Sequence, residues 1–194
     1  MSEINFKITC FDEPGPNNTD KALKIAKKYA NDLNIEDIVL ASTTGTTAEK
    51  ISDLFDLEKF NVVVITHSYY FVGSKIRQEF DETKMEELKK KGLKFHTGTH
   101  AMSGIERGLR IKKQPWIFVD LLARVMQNIV CQGFKVCIEI ASMAADAGLI
   151  PDLDRDIICI AGTGRGADTV CIIKPAPTSE FMDLRVKAIL CKPQ

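Results

Sequence analysis

The sequence predicts an α/β fold: one domain over residues 1–194 with a mostly parallel sheet and helices on both faces. Three observations predict it. Short continuous apolar runs such as Ile38-Val39-Leu40-Ala41 and Val62-Val63-Val64-Ile65-Thr66 read as strands buried on both faces. Segments of helical period separate them through the first hundred residues, and parallel strands need crossovers of that kind. A chain of 194 residues, 45% hydrophobic and 27% charged, is long enough for one substantial core.

In chain order, Phe6 to Cys10 reads as a first strand, followed by loop and cap residues from Pro14 to Asp20. A helix is expected from Thr19, because Ala22, Leu23, Ile25, Ala26, Tyr29, Ala30 and Leu33 recur at helical spacing. Ile38 to Ala41 forms the second strand, and a short helix runs through Ile51 and Phe55. The third strand, Val62 to Thr66, precedes a helix from about Asp81 to Lys91 that Gly92 stops. Leu93 to Thr97 is the fourth strand. Thr97 to Gln114 shows no period and reads as a long ordered loop, a length usually kept for function. Pro115 opens a helix through Phe118, Leu121, Leu122, Val125 and Ile129, and a very apolar helix, buried nearly all round, spans Phe134 to Ala147. Short strands close the chain at Ile157 to Ala161, Val170 to Lys174 and Leu184 to Cys191.

Ligands of open α/β sheets bind at the carboxyl ends of strands. Those ends are Ser42 to Thr47, Thr66 to Tyr70, Thr97 to His100 and Gly162 to Asp168. Ser42-Thr43-Thr44-Gly45-Thr46-Thr47 leaves a buried strand and opens a helix, which aims backbone N–H groups, hydroxyls and a helix dipole at one spot. A single helix cap uses one hydroxyl, and this loop has five. The loop therefore reads as a phosphate cradle, and the partner as a phosphorylated small molecule. Gly162, Thr163, Gly164, Arg165, Gly166, Ala167 and Asp168 form a second glycine-rich loop, in which Arg165 offers a guanidinium to a phosphate or to solvent. His67, Thr99 and His100 complete the expected binding set. His67 and His100 are the candidate acid–base residues, with ligand contact and catalysis both open.

Other classes recede. Twenty-six basic and 26 acidic residues cancel, which disfavours nucleic acid or an anionic membrane as partner. No apolar run reaches the ~18–20 residues of a membrane span and the amino terminus lacks a signal core, so a cytoplasmic location is expected. The six cysteines lack a C-x-x-C pair and read as reduced core residues, and no metal is expected. The apolar carboxyl half, with Trp116 and Phe118, admits a homo-oligomer.

Val39 to Ala48 resembles the effector loop of the pyruvate kinase carboxyl-terminal domain, where Ser and Thr around a glycine hold a sugar phosphate. Gly162 to Thr169, followed by Val170 to Pro175, resembles the glycine-rich second loop of that site. The resemblance spans roughly residues 20 to 175 and implies a stand-alone relative that senses a sugar phosphate or nucleotide. Kinase activity is not expected, since the catalytic TIM barrel of ~250 residues does not fit in this length. Ser42, Thr44, Gly45 and Thr47 also resemble the flavodoxin phosphate loop, which holds FMN without a cationic side chain. FMN is accordingly the first choice of ligand, with flavin-dependent redox activity as the implied chemistry and Tyr69, Tyr70, Phe71 or Trp116 as candidate ring partners. A phosphatase or isomerase acting through His67 or His100 is the third reading.

Overall fold

A computed structural model describes residues 3–194. Seven strands form one sheet: β1 (Thr9–Phe11), β2 (Asp37–Ala41), β3 (Asn61–His67), β4 (Lys94–Gly98), β5 (Ile157–Ala161), β6 (Thr169–Lys174) and β7 (Arg185–Pro193). Their order is β1-β7-β6-β5-β2-β3-β4. Only β6 runs against its neighbours, because the connections on either side of it are too short for a crossover. Among the described residues six α-helices accompany the sheet: α1 (Thr19–Leu33), α2 (Thr46–Leu54), α3 (Glu82–Lys90), α4 (Ile105–Ile111), α5 (Phe118–Ile129) and α6 (Gln132–Asp146).

The two-residue period of the strands divides the core into layers. Ile38 and Leu40 of β2, with Val62 and Val64 of β3, face α1, α2 and α3 through Leu23, Ala26, Ile51 and Leu88. Val39, Val63, Cys159 and Cys171 point the other way, onto Cys137, Ile140, Ala141 and Ala144 of α6. Helix α6 approaches closely because small residues face the sheet. At Gly133 an added Cβ would lie 2.2 Å from the Thr169 hydroxyl.

Three expectations need correction. The segment 97–114 is not all loop, for it contains α4. That helix buries no residue and carries Gly108 at its middle, so it has no apolar stripe to announce it. Helix α5 exists, yet Phe118, Leu121, Val125 and Ile129 face solvent while Ala123 is buried. Cys10 is exposed on edge strand β1, whereas the other five cysteines are buried, and all six thiols are free. No helix among the described residues is long and apolar enough to cross a membrane.

Gly133→Ala tests how closely α6 seats on β6. Crowding against Thr169 should lower stability by about 1–3 kcal/mol, read from the chemical denaturation midpoint. An unchanged midpoint would mean that α6 does not bear on the sheet there.

Candidate functional site

The sheet order reverses at β2, which pairs with β3 on one side and β5 on the other. The loop leaving β2 enters α2, whereas the chain leaving β5 turns back into antiparallel β6, and a crevice opens beside these strand ends. A cavity of about 650 Å³ occupies it. Ser42, Thr43, Thr44, Thr46 and Thr47 line one side, Gly162, Gly164, Arg165 and Gly166 another, and His67, Phe71 and His100 a third.

The Thr-rich loop is built to donate. Gly45 adopts φ 96° and ψ −20°, a left-handed conformation that turns the chain from β2 into α2. A side chain at Gly45 would also strike Phe80 and Lys84. Ser42 Oγ accepts from Ala48 N at 3.4 Å. Among the described residues the N–H groups of Thr44, Gly45, Thr46 and Thr47 reach no protein acceptor. Thr44 and Thr46 hold their hydroxyls 3.5 Å apart on the exposed lip. Several open donors and two hydroxyls thus gather at the start of a nine-residue helix.

The glycine-rich loop lines another side of the cavity. Gly164 and Gly166 both have positive φ, and a Cβ at Gly166 would meet Thr19 and Pro16 at the start of α1. Asp168 takes no part in the lining. Its carboxylate is fully buried and accepts from the N–H groups of Gly15 (2.9 Å) and Thr163 (3.1 Å) and from the Thr169 hydroxyl (2.7 Å). It fixes the loop to the residues before α1 and is a positioning group. Ala167 donates its N–H to Thr19 Oγ1 at 3.0 Å. Arg165 lines the cavity and pairs with Glu79 at 2.7 Å. Gly45, Thr99, Thr163, Ala167 and Asp168 are thus beside the cavity rather than in its wall.

The third wall is a column of flat groups. His67 stacks on Phe71 with centroids 3.8 Å apart and planes within 6°, and its other face meets His100 at 4.4 Å. Arg107 lies over the Phe71 ring at 4.1 Å. Burial pushes the His67 imidazole down to about 3, with His100 acting in the same direction, so His67 is neutral near pH 7. Its Nδ1 is buried and unbonded. Of the aromatic candidates, only Phe71 lines this cavity. Tyr69 and Tyr70 face solvent, and Trp116 lines an adjoining recess.

Behind His100 stands a buried chain of charges that the sequence reading passed over. Glu139 Oε2 lies 3.1 Å from His100 Nδ1, and Glu139 Oε1 accepts from Lys135 Nζ (2.6 Å) and from Met102 N (2.9 Å). Burial pushes the Glu139 carboxyl up, yet His100 and Lys135 outweigh it and hold it below the usual carboxylate range. An ionised carboxylate only accepts, so His100 donates to it from Nδ1, and its Nε2 has no partner among the described residues. Lys135 and Glu139 are a charged i, i+4 pair inside an otherwise apolar helix, and that was the signal available in the sequence. Among the described residues no group of three or more His, Cys, Asp or Glu is placed to hold a metal ion.

A model of the pyruvate kinase alpha/beta domain matches residues 20–173. This chain belongs to that family. The pyruvate kinase alpha/beta domain match runs from the second residue of α1 nearly to the end of β6, and so takes in both the Thr-rich and the glycine-rich loop. The column Phe71–His67–His100 and the Lys135–Glu139 pair fall within the same span.

The low value at His67 fixes a pH dependence. Between about pH 6.5 and pH 3 the unfolded chain binds a proton at His67 that the folded chain refuses. Its contribution is therefore fully present above pH 6.5 and is lost as pH falls toward 3. His67→Phe should flatten the fall in denaturation midpoint between pH 7 and pH 4.5 relative to the unsubstituted protein. In addition, the His67 ring protons should not titrate by NMR across that interval. A ring that titrates near pH 6.5 would contradict the buried placement.

Proposed function

We propose that the cavity binds a phosphorylated mononucleotide, FMN first, with its phosphate on the Thr-rich loop. The observation that carries this reading is the free N–H groups of Thr44 to Thr47 sharing one cavity with the Phe71–His67 stack. A dianion at the head of α2 satisfies donors that the protein leaves open. A flat heterocycle is then bordered by Phe71, His67 and His100, in a cavity of a volume typical of small-molecule sites. Lys50 at the rim is paired with Asp20, so the cradle holds its anion mainly through neutral donors. When bound, a flavin supplies hydride transfer. His100, held through Nδ1 by Glu139, presents Nε2 to the same cavity for proton exchange.

A sensor of a sugar phosphate or nucleotide, without catalysis, is the second reading. Membership of the pyruvate kinase alpha/beta domain family favours it. Both readings use the phosphate cradle, and only the first requires the aromatic wall.

Titration of the full chain with FMN should quench flavin fluorescence saturably. Thr44→Val with Thr46→Val should weaken binding about tenfold or more, since two hydroxyl donors to a charged group are lost. Riboflavin, lacking the phosphate, should bind at least tenfold more weakly than FMN. Equal binding of FMN and riboflavin would defeat the phosphate assignment. No flavin binding, with a melting temperature raised by sugar bisphosphates, would favour the sensor.

A further inference from the structure

A second recess of about 180 Å³ opens off the main cavity between α4, α5 and the first turn of α6. The two spaces share Ser103, Arg110, Gln127, Gln132 and Lys135 in their walls, so they communicate. Three cations, Arg110, Arg124 and Lys135, line the recess against a single carboxylate, Asp120. Asp120 is buried and committed to Arg110, whose Nε lies 2.9 Å from Oδ2 and 3.0 Å from Oδ1. Lys135 is committed to Glu139. Among the described residues Arg124 pairs with no carboxylate, and the side-chain amides of Gln127 and Gln132 make no hydrogen bond within the protein. The guanidinium groups of Arg110 and Arg124 both lie over the Trp116 ring, 5.4 and 5.8 Å from its centroid.

We propose that this recess holds the carboxylate of a small organic acid whose other end extends into the main cavity. One uncompensated guanidinium beside two open amides favours one carboxylate group, and the planar fork of Arg124 matches its plane. The recess is too small for a nucleotide. A tetrahedral phosphate finds backbone donors at the Thr-rich loop, whereas the recess offers side-chain donors around a flat indole. Ser103 and Lys135 line the passage between the spaces, and from there the remainder of the acid lies on the His100 side of the main cavity. The arrangement assigns the recess as a substrate-positioning pocket, with Arg124 the group that holds the acid. It stands whatever occupies the main cavity.

Trp116 is the single tryptophan of the chain, so its fluorescence reports on the recess directly. Titration of the full chain with oxalate should give a saturable change in Trp116 emission, and calorimetry should return the same dissociation constant. Arg124→Met should weaken oxalate about tenfold or more, since a charge-assisted pair is lost. Arg124 is solvent-exposed, so the variant should fold, with circular dichroism as the check; Gln127→Leu, expected to weaken oxalate severalfold, is the second variant. Thr44→Val with Thr46→Val should leave oxalate affinity within twofold, which separates the recess from the phosphate cradle. Loss of FMN binding with oxalate binding intact would count against the main-cavity reading and support an independent recess. The proposal is overturned if neither emission nor heat responds saturably to oxalate. It is also overturned if Arg124→Met and Gln127→Leu bind oxalate as the unsubstituted protein does, or if inorganic phosphate displaces oxalate at equal concentration.

Discussion

Strand β2 lies between β3 and β5, and the chain enters it before either neighbour exists. From β2 it winds outward through β3 and β4, then returns across one face as α4, α5 and α6 to place β5 on the other side. The loops after β2 and β5 therefore stand at adjacent strand ends, one entering α2 and the other turning into β6. The loop after β2 leaves the sheet for α2, and the N–H groups of Thr44 to Thr47 meet no acceptor among the described residues. The donor-rich cradle follows from topology. Its residue types then follow from what a turn into a helix at that point permits: Gly45 for the left-handed bend and small hydroxyl residues around it.

The opposite wall has a different basis. A buried carboxylate at Glu139 is costly unless it is paired and bonded, and here three donors meet it from α6, from the segment after β4 and from the backbone of Met102. That arrangement ties the loop after β4 to α6. Once His100 is held, His67 at the end of β3 can lie against it, and Phe71 against His67. Arg107 of α4 closes the column from outside. Hence the flat wall is a stack whose inner end is anchored by a buried charge pair. Truncating Glu139 would loosen every layer of it.

Much of the fold and one half of the site were legible in the sequence. Buried parallel strands advertise themselves as apolar runs, and the Thr-rich and glycine-rich loops stand out because their residue types are unusual at strand ends. The other half was not legible, for identifiable reasons. Helix α4 buries no residue, so Arg107 and Arg110 had no periodic frame that would place them on one face. Lys135 and Glu139 sit in the most apolar helix of the chain, where two charges one turn apart signal a buried pair only if they are not averaged away. Asp168 belongs to the expected binding set only as a member of the glycine-rich loop. Its carboxylate instead turns inward to organise backbone, a distinction that depends on direction rather than on spacing.

In the proposed complex the phosphate of a mononucleotide rests on the N–H groups at the start of α2. Amide resonances of the full chain, followed by NMR through titration with FMN and separately with riboflavin, test it most directly. The account predicts large shifts at Gly45, Thr46 and Thr47, with smaller ones at Gly164 and Gly166, for FMN alone. Any shifts near His67 and Phe71 should be common to both ligands. Shifts at Gly45 to Thr47 that are equal for the two ligands, or absent with FMN at saturation, would contradict it.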